Sequence, residues 1–461
     1  MGTRGDDGER LTEVDLLIEV LSRLRVKPLL RCKSVSKSWY ALISSPNFVK
    51  SHLQRAITSC VVDDEDKNNF ILHLHRDWAR LKYRKADGSF SLFNLEIGHT
   101  TTNLKFPYPQ GEYDTDPPSL LVGFVCGIAC VCVDDSYNFS KYWVPTADLP
   151  TKIYLWNPAI RQSKLIRPHT IHDDGGAGVA LGFGFDPIDF DFKVVRVVKA
   201  NSCAISAAVY STNRDAWRNI DSKLTDVPRS TRLKVCLHGF LITTGKRGLI
   251  AFDLNKEVFV CDIKLPVNIK SVHSLYDTQD VVFKDSIAFI AYMIDKPHRI
   301  NLWTLDDEAC LRGGGVQASW TLKLNIGLDE QFFDVQGLNN IVDLLFFSRG
   351  WWYSLGKIVN RYIYPRDGEF IYFEEDFFKY SESLLSFEGS IPVNWCADED
   401  VDSEDEGESI EDFKYDPEES ITDSEDIEES SEADNGECRD DSAIPAVFEV
   451  AGLNLSVEAD F

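Results

Sequence analysis

The chain reads as an α+β multidomain protein: a short N-terminal helical module, a long, predominantly antiparallel all-β body of propeller-like design, and an acidic tail. Three observations predict this. Helical apolar spacing is confined to residues 11–53, and strand-length apolar runs bounded by Asp, Asn, Gly and Pro recur from Asn69 onward. Carboxylates, finally, crowd a single segment near the C-terminus. The expected organisation is a disordered 1–10, a three-helix module over 11–53 and a linker over 54–68. A β-rich body over 69–397, a disordered acidic tail over 398–441 and an apolar segment over 442–461 follow.

In the first helix Val14, Leu17, Ile18, Leu21 and Leu24 follow the spacing of one buried stripe. Leu16 and Val20 fall off that stripe, and Glu19, Ser22 and Arg23 are left for water. Thr12 is placed to cap this helix, with Asp15 three residues later. Pro28 suits the first turn of a second helix running through Leu29, Leu30 and Cys32. Ser36 caps a third, in which Trp39, Leu42 and Ile43 share a face, and Ser44-Ser45-Pro46 stops it. A module of 43 residues rarely holds enough core to stand alone, so its second apolar face predicts a partner protein.

The segment LTEVDLLIEVLSRLRVKPLLRCKSVSKSWYALISSPNFVKSHL resembles an F-box of the form found in large plant families. The DLLIEVLSRL helix, VKPLLRCKSVSKSW and the closing ISSPNFVKSHL carry the resemblance. Thr12 and Arg25 replace prolines usual in that family, and Pro28 stands where Ser or Thr is common, while the apolar positions are kept. The resemblance implies that the exposed face binds a Skp-type adaptor, which bridges to a cullin scaffold and a ubiquitin-conjugating enzyme. The positions it assigns to that contact are Leu11, Leu16, Leu17, Val20, Leu24, Pro28, Leu29, Leu30, Val35 and Trp39.

Charge is unevenly placed. Residues 398–441 hold 23 acidic and two basic residues, a net −21, whereas the 397 residues before them carry only −2 of the chain's −26. No basic stripe of the kind nucleic-acid binders show is evident, so no nucleic-acid partner is expected. The absence of a long apolar run argues against a membrane span. MGTRGDDGER has neither a signal-peptide core nor, with Asp6, a myristoylation pattern, so a location in the cytoplasm, the nucleus or both is expected. Eleven irregularly spaced cysteines fit reduced, mostly buried thiols. Ser403, Ser409, Ser420 and Ser431 each precede an acid by three residues, the pattern of an acid-directed kinase site, although a plain solvated tail is the preferred reading of the segment.

Expected strands lie at 70–75, 89–95, 120–125, 128–133, 152–156, 192–198, 207–211, 248–254, 287–293, 299–305 and 369–373. VYSTNRDAWRNI (209–220) is echoed by AFDLNKEVFVCDI (251–263) at an offset of 42: Tyr210 over Phe252, Asn213 over Asn255, Asp215 over Glu257, Trp217 over Phe259. LWNPAIRQSKLI (155–166) and the stretch from Leu302 to Leu324 are looser copies. One aromatic-rich hairpin per unit of roughly 40–50 residues predicts propeller blades, with a sandwich as the other arrangement. YLWNPAIRQSKLI, GFGFDPIDFDFKVVRVV, AAVYSTNRDAWRNI, GLIAFDLNKEVFVCDIKLP and RINLWTL resemble successive landmarks of the plant F-box-associated interaction domain, and KYSESLLSF resembles its closing segment. That family captures protein substrates, basic ribonucleases among them.

Catalytic signatures are missing from the sequence: there is no P-loop, no zinc-protease helix motif and no nucleophile elbow. Cys126, Cys130 and Cys132 suit a packed strand pair better than zinc, which needs four converging donors. His73 with His75, and His169, His172, Asp173 and Asp174, read as ordinary strand and loop residues rather than metal ligands. No catalytic residue, metal or cofactor is therefore assigned. The sequence predicts a non-catalytic, SCF-type (Skp–cullin–F-box) substrate adaptor, with a propeller hydrolase and a ligase-independent scaffold as the alternatives. Substrate contacts are expected in the loops 108–118, 169–178 and 306–316.

Overall fold

The structure is a computed structural model. It describes residues 13–58, 69–74, 90–94, 99–104, 106, 119–134, 151–167, 176–200, 205–224, 227–230, 232–233, 235–266, 278–283, 285–293, 298–313, 315–328, 334–337, 344–348, 351–354, 357–361 and 375–392. Leu11 and Thr12, the strand expected at 369–373 and everything from Val393 onward, acidic tail included, lie outside these residues. No described helix is long and apolar enough to cross a membrane.

The N-terminal module has four helices rather than three: α1 (Glu13–Leu21), α2 (Val26–Cys32), α3 (Lys37–Ser44) and α4 (Pro46–Thr58). Ser36 caps α3 as expected, its hydroxyl accepting from the Trp39 N–H at 3.1 Å. Ser45 ends α3 by donating to the Leu42 carbonyl at 2.7 Å and starts α4 by accepting from the Phe48 N–H at 3.3 Å. With Pro46 at the first helical position, the junction read as a stop is also a start. Residues expected to begin a linker at 54 thus continue a helix, and Leu53 enters the core of the β body.

Six sheets follow among the described residues. Sheet 1 joins Asn69–Leu74, Phe90–Asn94 and His99–Leu104 to Glu375–Lys379, which lies on its inner edge. Sheet 2 holds Ser119–Val125, Ile128–Asp134, Thr151–Asn157, Gln162–Ile166 and, outermost, Ile391–Pro392. Sheet 3 holds Gly176–Asp186, Asp191–Ala200, Ile205–Ser211 and Ala216–Ile220. Sheet 4 runs from Val235–Leu237 through Phe240–Thr244 and Leu249–Asp253 to Val258–Ile263. Sheet 5 comprises Thr278–Phe283, Ser286–Met293, His298–Leu305 and Trp320–Leu328. Asp334–Gly337, Leu344–Ser348, Trp351–Ser354 and Lys357–Arg361 make sheet 6. Pairing is antiparallel except for Arg232–Leu233, which adds in parallel to Leu181–Gly182. Consecutive sheets from 1 to 6 touch through their innermost strands, as the blades of a β-propeller do.

Each interface between sheets is filled by alternate residues of facing strands. Leu120, Val122, Ile128 and Cys130 of sheet 2 pack with Phe183, Phe185, Phe192 and Val194 of sheet 3. Val195, Val197 and Val209 of sheet 3 pack with Leu241, Ile250 and Phe252 of sheet 4. The hairpin echo is a shared turn. Tyr210 and Trp217 are cross-strand partners with ring centroids 5.6 Å apart, and Phe252 and Phe259 are the same pair at 4.5 Å. Asn157, Asp186 and Asp253 each accept two backbone N–H groups with one side-chain oxygen to start a four-residue turn. Arg161, Phe190, Asp215 and Glu257 close their turns at φ between 47° and 56°.

Candidate functional site

Leu21, Val26, Leu29, Ile43 and Phe48 form the buried core of the helical module, and Leu384, from the C-terminal part of the β body, completes it at 4 % exposure. Around that core Leu17, Leu24, Leu30 and Trp39 are half-buried. Leu16 and Val20, four residues apart on one face of α1, stand 52 % and 60 % exposed; Pro28 is exposed, and Val35 is 64 % exposed. Of the ten positions assigned to adaptor contact, eight therefore reach the module's surface at least in part. Leu29 does not: at 0 % exposure it supports the face from beneath. Leu11 lies outside the described residues.

Two side chains differ from the helical-wheel expectation. Val14, read as core, is 56 % exposed because α1 begins only at Glu13 and its first turn overhangs the core. Ser22, read as exposed, is buried under Arg55 of α4, whose guanidinium reaches its hydroxyl at 2.5 Å. Arg55 and Arg23 also hold Glu19 at 2.7 and 2.6 Å, which keeps that carboxyl below the usual carboxylate range, Arg55 having the larger effect. Tyr40 adds a further exposed ring that the sequence reading missed, since its neighbours Trp39 and Ile43 drew the face inward. Six of the eleven large apolar side chains most exposed among the described residues lie between Val14 and Ile57. Such concentration marks a surface awaiting a partner.

The module is fixed to the β body by a seam. Asn157 Nδ2 donates to the carbonyls of Ser383 and Leu385, both at 2.9 Å, and the Val26 N–H donates to Glu382 at 3.1 Å. Gly127 (φ +79°) lets Ser383 approach so closely that a Cβ there would lie 2.6 Å from the serine's own. Ala159 and Ile160 pack on the module's core, and the Lys50 ammonium sits 4.8 Å from the Phe190 ring centroid.

On the β body, all of these anchor points except Glu382, Ser383 and Leu385 belong to turns between first and second or third and fourth strands. The module thus docks at one end of the propeller. Connections between second and third strands, and from sheet to sheet, leave the opposite end. Leu104 and Ser119, which bracket the loop expected at 108–118, lie at that far end, as does Arg167 before the loop at 169–178. The latter is shorter than expected, since Gly176 to Gly178 already belong to a strand. The third expected loop, 306–316, leaves from the module's end, and most of it is not free. Residues Glu308–Arg312 form a 3-10 helix that buries Cys310 and Leu311 against Val235, Phe240 and Ile263 of sheet 4.

Among the described residues no three His, Cys, Asp or Glu side chains stand close enough to hold a metal ion. His75 and His169 to Asp174 lie outside these residues. Cys130 and Cys132 are fully buried in strand packing, and burial pushes the Cys126 thiol up to about 12, with nearby Cys236 adding to it. Thiols so disfavoured as thiolates are poor ligands and poor nucleophiles.

Comparison with known proteins agrees with this geometry. Residues 14–51 match the F-box domain model, and residues 101–312 match that of the F-box associated beta propeller domain. The chain is 24 % identical over 227 residues to the F-box protein CPR1 of Arabidopsis thaliana, covering 46 % of each chain. An F-box/kelch-repeat protein of the same plant is 26 % identical over 255 residues, with 53 % of this chain and 63 % of the relative covered. A third Arabidopsis F-box protein is 24 % identical over 338 residues, covering 68 % of this chain and 70 % of the relative. The first two alignments span less than two thirds of those relatives' own length. The helical module and the β body thus correspond to an F-box domain and an F-box associated β-propeller domain, and the relatives that share them are Arabidopsis F-box proteins.

Proposed function

We propose that this chain is the substrate-recognition subunit of an SCF-type ubiquitin ligase, acting in the cytoplasm or nucleus without catalytic residues of its own. The F-box seats a Skp-type adaptor and, through it, a cullin scaffold; the propeller captures a protein destined for ubiquitination. One observation carries the reading: Leu16, Val20, Val35 and Tyr40 remain exposed on a module whose core is already filled. Burying apolar area of this kind is worth about 25 cal/mol per Å², and a charge placed in it is costly.

Leu16→Asp with Val20→Asp should lower co-purification with a Skp-type adaptor by about a hundredfold, the cost of leaving charges in a dry apolar contact, while the propeller melts as before. Undiminished co-purification would refute the assignment. Both substitutions fall on exposed positions, so the module's fold is not at stake, as it would be at Leu29. For the substrate, a protein of unknown identity with basic ribonucleases one expected class, the far end of the propeller is the surface the docked F-box leaves open. Exchanging 108–118 and 169–175 should abolish substrate capture, whereas exchanging 313–319 should not.

A further inference from the structure

The helical module is electrically unlike the rest of the chain. Residues 13–58 hold Glu13, Asp15 and Glu19 against eight lysines and arginines, a net +5 within a chain of −26. The three acids all belong to α1. From Val26 to Tyr40 there are Lys27, Arg31, Lys33 and Lys37, and no acid. None of these four is paired with a carboxylate among the described residues, in contrast to Arg23 and Arg55 on Glu19.

Apart from Arg31, which suits the C-terminal end of the α2 dipole, their placement does little for the module's own stability. Lys27 and Arg31 are exposed one turn apart on α2, where like charges repel. Lys37 is exposed at the first position of α3, where the helix dipole disfavours a cation. The Lys33 ammonium lies 5.9 Å from the Tyr40 ring centroid, and burial lowers its pKa. In sequence these cations interleave with Pro28, Leu30, Val35 and Trp39, all assigned to adaptor contact. A local rule broken without internal compensation points to a group supplied from outside.

We propose that the surface covering this face is acidic, and that charge steers the F-box onto its Skp-type adaptor before apolar contact holds it there. This inference rests on the adaptor reading above and adds the partner's chemistry to it. Opposite charge across an interface acts mainly on the association rate and is screened by salt.

The test is stopped-flow association of the full chain with a purified Skp-type adaptor from about 50 to about 500 mM NaCl, a range over which the screening length shortens from about 14 Å to about 4 Å. The association rate should fall at least about tenfold across that range while dissociation changes little. Lys27→Glu, Arg31→Glu and Lys37→Glu together should slow association about tenfold at low salt and flatten the salt dependence. Glutamates at positions 27 and 37, in the first turns of α2 and α3, suit the helix dipole and offset the one at 31 in the last turn of α2, so the triple variant should keep its melting profile. Lys256→Glu, Lys264→Glu and Lys323→Glu, placed on the propeller, should leave the rate unchanged. A salt-independent association rate, or equal effects from the two triple variants, would overturn the proposal while leaving the adaptor reading in place. Failure to bind at any salt overturns both.

Discussion

Lys193 is 2 % exposed, and its ammonium lies 3.1 Å from Asp186 and 3.2 Å from Glu257 while donating to the Leu254 carbonyl at 2.6 Å. Glu257 also meets Arg218 of the preceding sheet. Burial alone would raise the Asp186 carboxyl; hydrogen bonds from Asn255, Lys193 and the Ile188 N–H outweigh it and hold the group below its ordinary 3.8. Replacing Lys193 with Met leaves the buried Asp186 carboxylate without a cation and Glu257 with Arg218 alone, and should cost about 3–5 kcal/mol in urea unfolding. A carboxyl depressed in the folded state stabilises fully above its unfolded value and loses that contribution as pH falls through its folded one. Stability of the native chain should therefore drop as pH falls below about 4, and Asp186→Asn should show a shallower drop over the same window. The sequence aligned Asp215 with Glu257 but concealed what the position does. Each is the left-handed last residue of its turn and reaches a lysine on the preceding sheet, Lys164 at 2.8 Å for Asp215 and Lys193 for Glu257. Partners so far away along the chain leave no local trace.

A second recurrent latch appears at the scale of the strand. Trp217, on the outer strand of sheet 3, donates its indole N–H to the Arg167 carbonyl just beyond the outer strand of sheet 2, at 2.8 Å. Trp320, on the outer strand of sheet 5, does the same to the Lys264 carbonyl beyond sheet 4, also at 2.8 Å. Trp217→Phe and Trp320→Phe keep the ring and remove the donor, so each should cost about 1 kcal/mol. The two lie at different interfaces, and the double variant should show the sum within about 0.5 kcal/mol in chemical denaturation.

Central strands of sheet 2 were legible because both faces are apolar: the inner strand 119–125 is buried almost throughout, and 128–134 likewise wherever its side chains are described, whereas the glycine-rich inner strand 176–186 and the buried 240–244 were missed. Outer strands were not legible. Ala216–Ile220 exposes or half-exposes every residue, His99–Leu104 is a run of Thr and Asn, and neither presents a period-2 pattern. The repeat was faint for a related reason. Sheets 2 to 6 begin at Ser119, Gly176, Val235, Thr278 and Asp334, steps of 57, 59, 43 and 56 residues, so only neighbouring sheets 4 and 5 keep the expected period of 40–50. Arg232–Leu233 lengthens the route from sheet 3 to sheet 4 by running beside the axis before the next sheet starts, with the Arg232 guanidinium on the Leu121 carbonyl at 3.0 Å.

For the molecule as a whole, the seam ties where an adaptor would sit to where a substrate would be held, and a ligase requires that geometry to be stiff enough for transfer. Leu384→Ala removes the β body's contribution to the module's core and should cost about 2–5 kcal/mol there. Hydrogen exchange should quicken across 21–53 and 380–390 while sheets 3 to 5 keep their protection; uniform loss of protection would mean that module and propeller unfold as one unit. The apolar face of the F-box was readable from helical spacing, and its dependence on Leu384 was not, because nothing in residues 13–58 signals a missing core side chain.

That dependence sets an order of events during synthesis. The F-box leaves the ribosome first, yet the leucine that finishes its interior is translated some 330 residues later, together with Glu375–Lys379, the inner-edge strand of sheet 1. A chain that stops short of Leu384 consequently displays a half-built helical module attached to an unfinished β body. On the proposed function, a finished adaptor-binding face then belongs to chains translated past Leu384.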